Sequence, residues 1–147
     1  MRGDYKLYKN EFGALIIRIV LGSIFLIHGL AKFQEGIAET IKRFESYNIP
    51  YADYVSFGVA GVELIGGFFL IIGFSVRFVS ALLIIIMTGA IVFVKFDAGF
   101  LNGYEYDVAL LAMSCYLLFG GSRLLALDKL FVRDTKKKSK VEFKRSY

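Results

Sequence analysis

Four apolar runs, at about 12–33, 54–74, 77–94 and 104–121, leave this chain few ways to fold. Each approaches or reaches the roughly 20 residues that carry a helix across a bilayer. Backbone amides in hydrocarbon have no water to bond, so each run is read as helical. The apolar residues fill whole runs instead of tracing amphipathic stripes. Hydrophobic residues make up 56% of the 147, with mean hydropathy +0.59, more than a water-soluble domain of this length would carry. The predicted fold is therefore all-α: a polytopic membrane protein with an antiparallel four-helix transmembrane bundle over 1–128 and a basic tail over 129–147. The first run is read as a retained helix and not a cleaved leader, because it is long, carries Arg18 and His28, and lacks a small-residue cleavage site.

The distribution of basic residues sets the expected orientation. With the N-terminus in the cytoplasm, the inner side holds Arg2, Lys6, Lys9, Arg77, Arg123 and the eight Lys and Arg of the tail, against Lys32, Lys42, Arg43 and Lys95 outside. That asymmetry predicts a multi-pass plasma-membrane protein with both termini cytoplasmic. Only Ser75 and Val76 separate the second and third runs, which makes those helices an antiparallel hairpin. In the first outer loop Ile37, Ile41 and Phe44 fall at helical spacing opposite Glu35, Lys42 and Arg43 before Pro50 ends the pattern, so a short helix is expected to lie on the outer membrane surface. Tyr47, Tyr51, Tyr54, Tyr104 and Tyr106 are expected to form an outer aromatic belt, and Tyr5, Tyr8 and Phe12 an inner one.

Charge and cysteine usage narrow the chemistry. The formal charge of +5 owes much to the tail, where it reads as a topology signal and a contact for lipid headgroups; no nucleic-acid motif accompanies it. Cys115 is the single cysteine, so no intrachain disulfide or CxxC pair exists, and a packing role suits it better than a nucleophilic one. Metal is not expected: the one histidine, His28, and the carboxylates Glu63 and Glu105 lie on three separate segments with no H-x-x-x-H or H-x-E spacing.

Ionisable groups at membrane depth cost a few kcal/mol and call for a partner or a watery cavity. Arg18, Gly22, Phe25, Gly29 and Lys32 follow steps of four and three and share one stripe of the first helix, which His28 borders. Two glycines among these charges imply that another helix packs there. Glu63 lies near the middle of the second helix with Gly66, Gly67 and Gly73 continuing its face, at a depth between Arg18 and His28, either of which is a candidate partner. Arg77 and Lys95 stand at the ends of the third helix and Thr88 near its centre; Asn102, Gly103 and Glu105 precede the fourth, which carries Asp107. His28, Lys32, Lys95, Glu105 and Asp107 thus gather at one outer end as a candidate polar mouth. Snorkelling and simple ion pairing explain Lys32, Lys95, Glu105 and Asp107 equally well, and topology alone explains Arg77 and Arg123.

RIVLGSIFLIHGLAKF from Arg18, GVELIGGFFLIIGFSVR from Gly61, NGYE from Asn102 and GGSRLLALD ending at Asp128 closely resemble the DoxX family of small membrane proteins over residues 14–128. The arginine, the HG-x-x-K signature, the mid-helix glutamate, the hairpin glycine and arginine, and the NG-x-E turn occur in the family's order. The resemblance implies a four-helix membrane fold and membership of a group named after a subunit associated with a thiosulfate:quinone oxidoreductase. By motif, Arg18, His28, Lys32, Glu63, Arg77, Asn102 and Glu105 are the positions that carry over. The function expected from it is a subunit of a membrane oxidoreductase that binds quinone or a similar apolar redox ligand between helices. His28 and Glu63 would be its proton-handling catalytic groups, with Arg18, Lys32, Arg77, Lys95, Asn102, Glu105 and Asp107 as ligand-binding or ion-pairing residues. No flavin, haem or iron–sulfur motif is present, so electrons would come from a soluble or membrane partner, and a homo-oligomer is compatible. Two other readings stand beside it: a non-catalytic anchor or scaffold for a soluble partner, and a small transporter.

Overall fold

The computed structural model describes residues 2–122 and 124–127, with side chains from residue 10 onward. The side chains of Arg2, Tyr5, Lys6, Tyr8 and Lys9, together with Arg123 and the tail from residue 128, lie outside the described residues, and with them most of the predicted inner charge and the inner aromatic belt. Among the described residues the fold is all-α. Helix α1 covers Arg2–Gln34 and α2 covers Ile37–Ser46. Helix α3 runs over Ala52–Ile72 and α4 over Val76–Ala98, while α5 spans Glu105–Gly120. Three stretches, Asn10–Gln34, Ala52–Ile72 and Val76–Ala98, are long and apolar enough to cross a membrane, and only a minority of each is buried within the molecule. Large side chains such as Phe12, Ile27, Phe57, Phe78, Ile85 and Phe119 face outward. Such a surface needs a lipid solvent.

The connections follow from local chemistry. Gly36, at φ +92°, separates α1 from α2. At the end of α3 the Gly73 N–H donates to the Leu70 carbonyl at 3.1 Å and the Phe74 N–H to the Phe69 carbonyl at 2.9 Å, with Gly73 left-handed at φ +72°. This is a Schellman closure, and its usual apolar contact is present as the Phe69 and Phe74 rings meeting edge to face at 5.0 Å. Ser75 then starts α4 directly, so α3 and α4 form a tight hairpin.

Helix α1 packs along α3, α3 against α4, α4 along α5, and α5 back onto α1. Leu21, Phe25, Leu70, Val79, Leu83, Met87, Leu110 and Leu117 from these four helices form the shared core. The short α2 lies against α3 and touches α1. Its Ile37, Ile41 and Phe44 are half-buried, and Glu39, Lys42 and Arg43 are exposed. Lys42 donates to Glu39 at 2.9 Å and Arg43 to Glu35 at 2.9 Å. The Lys42 ammonium holds the Glu39 carboxyl below its ordinary range, and Glu39 in turn raises Lys42. The two ends of the molecule are called below the α2 end and the hairpin end.

Candidate functional site

A close contact between α1 and α3 frames the site. A Cβ at Gly29 would stand 2.5 Å from the Leu64 nitrogen, and one at Gly67 only 2.4 Å from the Leu26 nitrogen. A Cβ at Gly22 would meet the Gly67 carbonyl at 2.8 Å. Only glycine permits α1 and α3 to approach so closely, and the order of these contacts makes the two helices antiparallel. The packing expected from glycines within the charged stripe of α1 is therefore present. The approach also carries Glu63 against α1.

Glu63 lies in a π-helical segment, Val62–Gly66, that interrupts α3. A widened turn of this kind re-aims side chains and recurs at functional sites. The Glu63 side chain is 6% exposed and forms an ion pair with Lys32, which is 20% exposed. The expectation that Arg18 or His28 would be its partner is corrected here. Lys32 stands nearly one turn beyond the Gly29–Leu64 contact toward the α2 end, and its four-carbon stem reaches back, which an estimate from helical rise alone does not capture.

A second pair follows the same plan. Lys95 Nζ donates to Asp107 Oδ2 at 2.6 Å, with Lys95 36% and Asp107 6% exposed. Lys95 closes another π-helical segment, Ala90–Lys95. In both pairs the carboxylate is buried and the lysine is the member that reaches solvent. His28 is exposed, and its ring centroid lies 6.5 Å from that of Tyr106 on α5. No hydrogen bond joins His28 to Glu63. Asn102 is left-handed at φ +60°, and its N–H donates to Glu105 Oε1 at 3.2 Å, which fixes the entry to α5. Thr88 is exposed and donates to the Ile84 carbonyl at 2.8 Å.

Arg18 and Arg77 belong to the hairpin end. Arg18 is fully buried; its Nη1 donates to the Leu124 carbonyl at 3.1 Å and Ser122 Oγ at 3.4 Å, and its Nη2 to the Leu125 carbonyl at 3.1 Å. Residues 122 and 124–127 form a strap across this end, tied further by the Leu124 N–H to Glu11 Oε2 at 3.1 Å and the Leu127 N–H to the Ile72 carbonyl at 3.3 Å. Gly73 leaves the necessary room: a Cβ there would stand 2.6 Å from Arg18 Nη1. Arg77 Nη2 reaches the Phe119 carbonyl at 3.4 Å, a cation at the C-terminus of α5. The resemblance motifs thus fall at both ends of the molecule: Arg18 and Arg77 at the hairpin end, and the Lys32–Glu63 pair, His28 and the Asn102–Glu105 turn at the α2 end. Sequence reasoning missed the π-helical turns, the strap and the place of Tyr106 beside His28.

An apolar groove of about 390 Å³ opens between α3 and α4, lined by residues that include Gly61, Ile65, Phe69, Phe78 and Leu82. Cys115 is half-buried, and among the described residues no three His, Cys, Asp or Glu side chains gather as metal ligands.

The chain has known relatives. The sequence profile of the DoxX family matches residues 13–96. A Bacillus subtilis (strain 168) protein bearing the name "Putative oxidoreductase CatD" is 41% identical over 131 residues, covering 89% of this chain and 95% of that protein. A Mycobacterium tuberculosis (strain ATCC 25618 / H37Rv) protein named "Uncharacterized membrane protein Rv3486" is 30% identical, covering 78% of each. No solved structure matches.

Proposed function

The chain belongs to the DoxX family, and on that premise we propose that it is a subunit of a membrane oxidoreductase that binds quinone, or a similar apolar redox ligand, between its helices. In this reading α1, α3, α4 and α5 cross the plasma membrane as an antiparallel four-helix bundle. Both termini are cytoplasmic, α2 rests on the outer surface, and a partner protein delivers electrons. The observation that carries the reading is the Lys32–Glu63 pair, its carboxylate buried on a widened turn of α3. Ionisable groups so placed mark ligand and proton pathways. The relative bearing an oxidoreductase name supports the same class.

The residues present fit a quinone headgroup. Lys32 has three N–H donors and spends one on Glu63, and it is the exposed member of the pair. Lys95 is placed likewise beside Asp107, and Tyr106 and His28 stand at the same end. The groove between α3 and α4 offers apolar lining for a hydrocarbon chain but no donor for a carbonyl. A bound quinone would supply the acceptor for two electrons and two protons. Lys32 would then orient a carbonyl oxygen by donating to it, and Glu63 keeps the Lys32 side chain aimed. The Glu63 carboxylate holds a proton at Oε2 when Lys32 turns away. His28 exchanges protons from the exposed face of α1.

Extraction of the protein from mild detergent, followed by mass spectrometry for quinones, tests the proposal with Lys32→Met, Glu63→Gln and His28→Ala alongside. Quinone in the parent and its loss in the first two variants is the expected result. A clean extract from folded parent protein overturns the redox reading in favour of an anchoring subunit.

A further inference from the structure

Three helical hydroxyls bond to the carbonyl one turn back: Ser80 Oγ donates to Val76 at 2.8 Å, Ser114 Oγ to Leu110 at 2.9 Å and Thr88 Oγ1 to Ile84 at 2.8 Å. Ser56 and Thr40 do not. Ser56 on α3 and Thr40 on α2 are both fully buried, and neither hydroxyl has a hydrogen-bond partner. Ser56 has a carbonyl one turn back at Ala52, as Ser80 and Ser114 have theirs, and does not use it. An isolated buried hydroxyl is costly, and buried polar groups of this kind are commonly satisfied by water.

Their placement gives the hydroxyls a direction. Thr40 interrupts the apolar side of α2, where Ile37, Ile41 and Phe44 are only half-buried, and α2 packs on α3 and touches α1. On α3 the buried positions Ala52, Ser56, Ala60 and Glu63 follow steps of four, four and three and so share one stripe. The one residue between Ser56 and Glu63 on that stripe is the small Ala60, and Ser56 stands about 10 Å along the helix from Glu63. Lys32, at the inner end of this stripe, remains one-fifth exposed, so the pair is not sealed.

We propose that α2 roofs a water-filled track running past Thr40 and Ser56 to the Lys32–Glu63 pair, through which Glu63 exchanges protons with the solution on the α2 side. The occupant is water, held by hydroxyls that the helices themselves leave unbonded. The inference stands on the geometry of the ion pair and not on the quinone proposed above. It gives α2 a task that a merely amphipathic surface helix would not need.

Solid-state NMR of the labelled full-length protein in lipid bilayers tests this by transferring magnetisation from water to side-chain carbons. Ser80 and Ser114, equally buried but internally bonded, serve as dry standards in the same sample. The Thr40 and Ser56 Cβ signals should build up several-fold faster than those of Ser80 and Ser114. In a Thr40→Val, Ser56→Ala variant the build-up at the Glu63 carboxyl carbon should slow, while Ser80 and Ser114 shifts stay fixed and report an intact fold. Build-up at Thr40 and Ser56 as slow as at the standards overturns the proposal. Wet hydroxyls with an unchanged rate at Glu63 also overturn it, since the water would then be a local filler and not a route.

Discussion

Replacing Lys32 by Met strands the Glu63 carboxylate in a site where its side chain is 6% exposed. The least costly response of the carboxyl is to take up a proton. At pH 7 that costs at most about 4 kcal/mol, from about 1.36 kcal/mol per pKa unit over the gap between an ordinary glutamate near 4.3 and the solution pH. At pH 5 the same gap leaves about 1 kcal/mol. The sign follows from burial: a carboxylate without its partner is costly where the solution keeps it ionised, so the loss is larger at neutral than at acid pH. Glu63→Gln should be milder, about 1 kcal/mol, because Lys32 sits two residues from the end of α1 and its ammonium reaches water. Replacing both residues by Met should return stability to within about 1.5 kcal/mol of the parent, since a buried pair is often no better than apolar packing. Thermal unfolding in lipid nanodiscs, read by a thiol-reactive fluorophore on the half-buried Cys115, gives the comparison. The Lys32→Met midpoint should drop on the order of 10 °C at pH 7 and recover most of that at pH 5. Equal losses for the two single variants that add in the double variant, or a Lys32→Met loss independent of pH, would refute the reasoning.

The second pair should behave in the same sense, with Lys95→Met costing more than Asp107→Asn in the same assay, because Lys95 is the exposed member. Gly29→Ala should cost about 1–3 kcal/mol through overpacking against Leu64, whereas Gly58→Ala, whose Cβ meets nothing within 4 Å, should be neutral or slightly stabilising. Arg18→Met should cost about 1–3 kcal/mol for the acceptors it leaves unbonded and raise protease cleavage at 124–127, where Arg18 holds the Leu124 and Leu125 carbonyls. Glu39→Gln should leave the unfolding midpoint at neutral pH unchanged, because the Lys42 bridge is solvent-exposed. The Glu39 carboxyl is held low, so what the bridge contributes is present above the ordinary carboxylate range and fades as pH falls through the depressed folded value.

How much of this was legible in the sequence depended on whether periodicity reported it. Apolar length announced the long helices, and glycines spaced along one stripe of α1 announced a close neighbour, because both signals repeat with the helix. The pairing of Glu63 was not legible in the same way. Rise per residue fixes depth but not azimuth, and Lys32, which was not among the candidates, lies one turn beyond His28, a distance that a lysine stem reaches back across. The π-helical turns at Val62–Gly66 and Ala90–Lys95 leave no mark on an apolar run, since widening by one residue changes neither composition nor hydropathy. The strap has no period at all, so nothing in its residues told Arg18 apart from an arginine placed for topology. Lys95 and Asp107 could be placed at one end of the helices by topology, but their contact needed coordinates.

The strap also dictates an order of assembly. The acceptors that hold Arg18 lie 104–107 residues further along the chain, so at about 5–20 residues per second several seconds separate the synthesis of the arginine from that of its clamp. Throughout that interval these three acceptors do not yet exist for Arg18. Burial of Arg18 is then a closing step, available only to a chain that has been made through Leu125, and a ribosome product cut short of the strap would carry α1 in an unfinished position recognisable to membrane quality control.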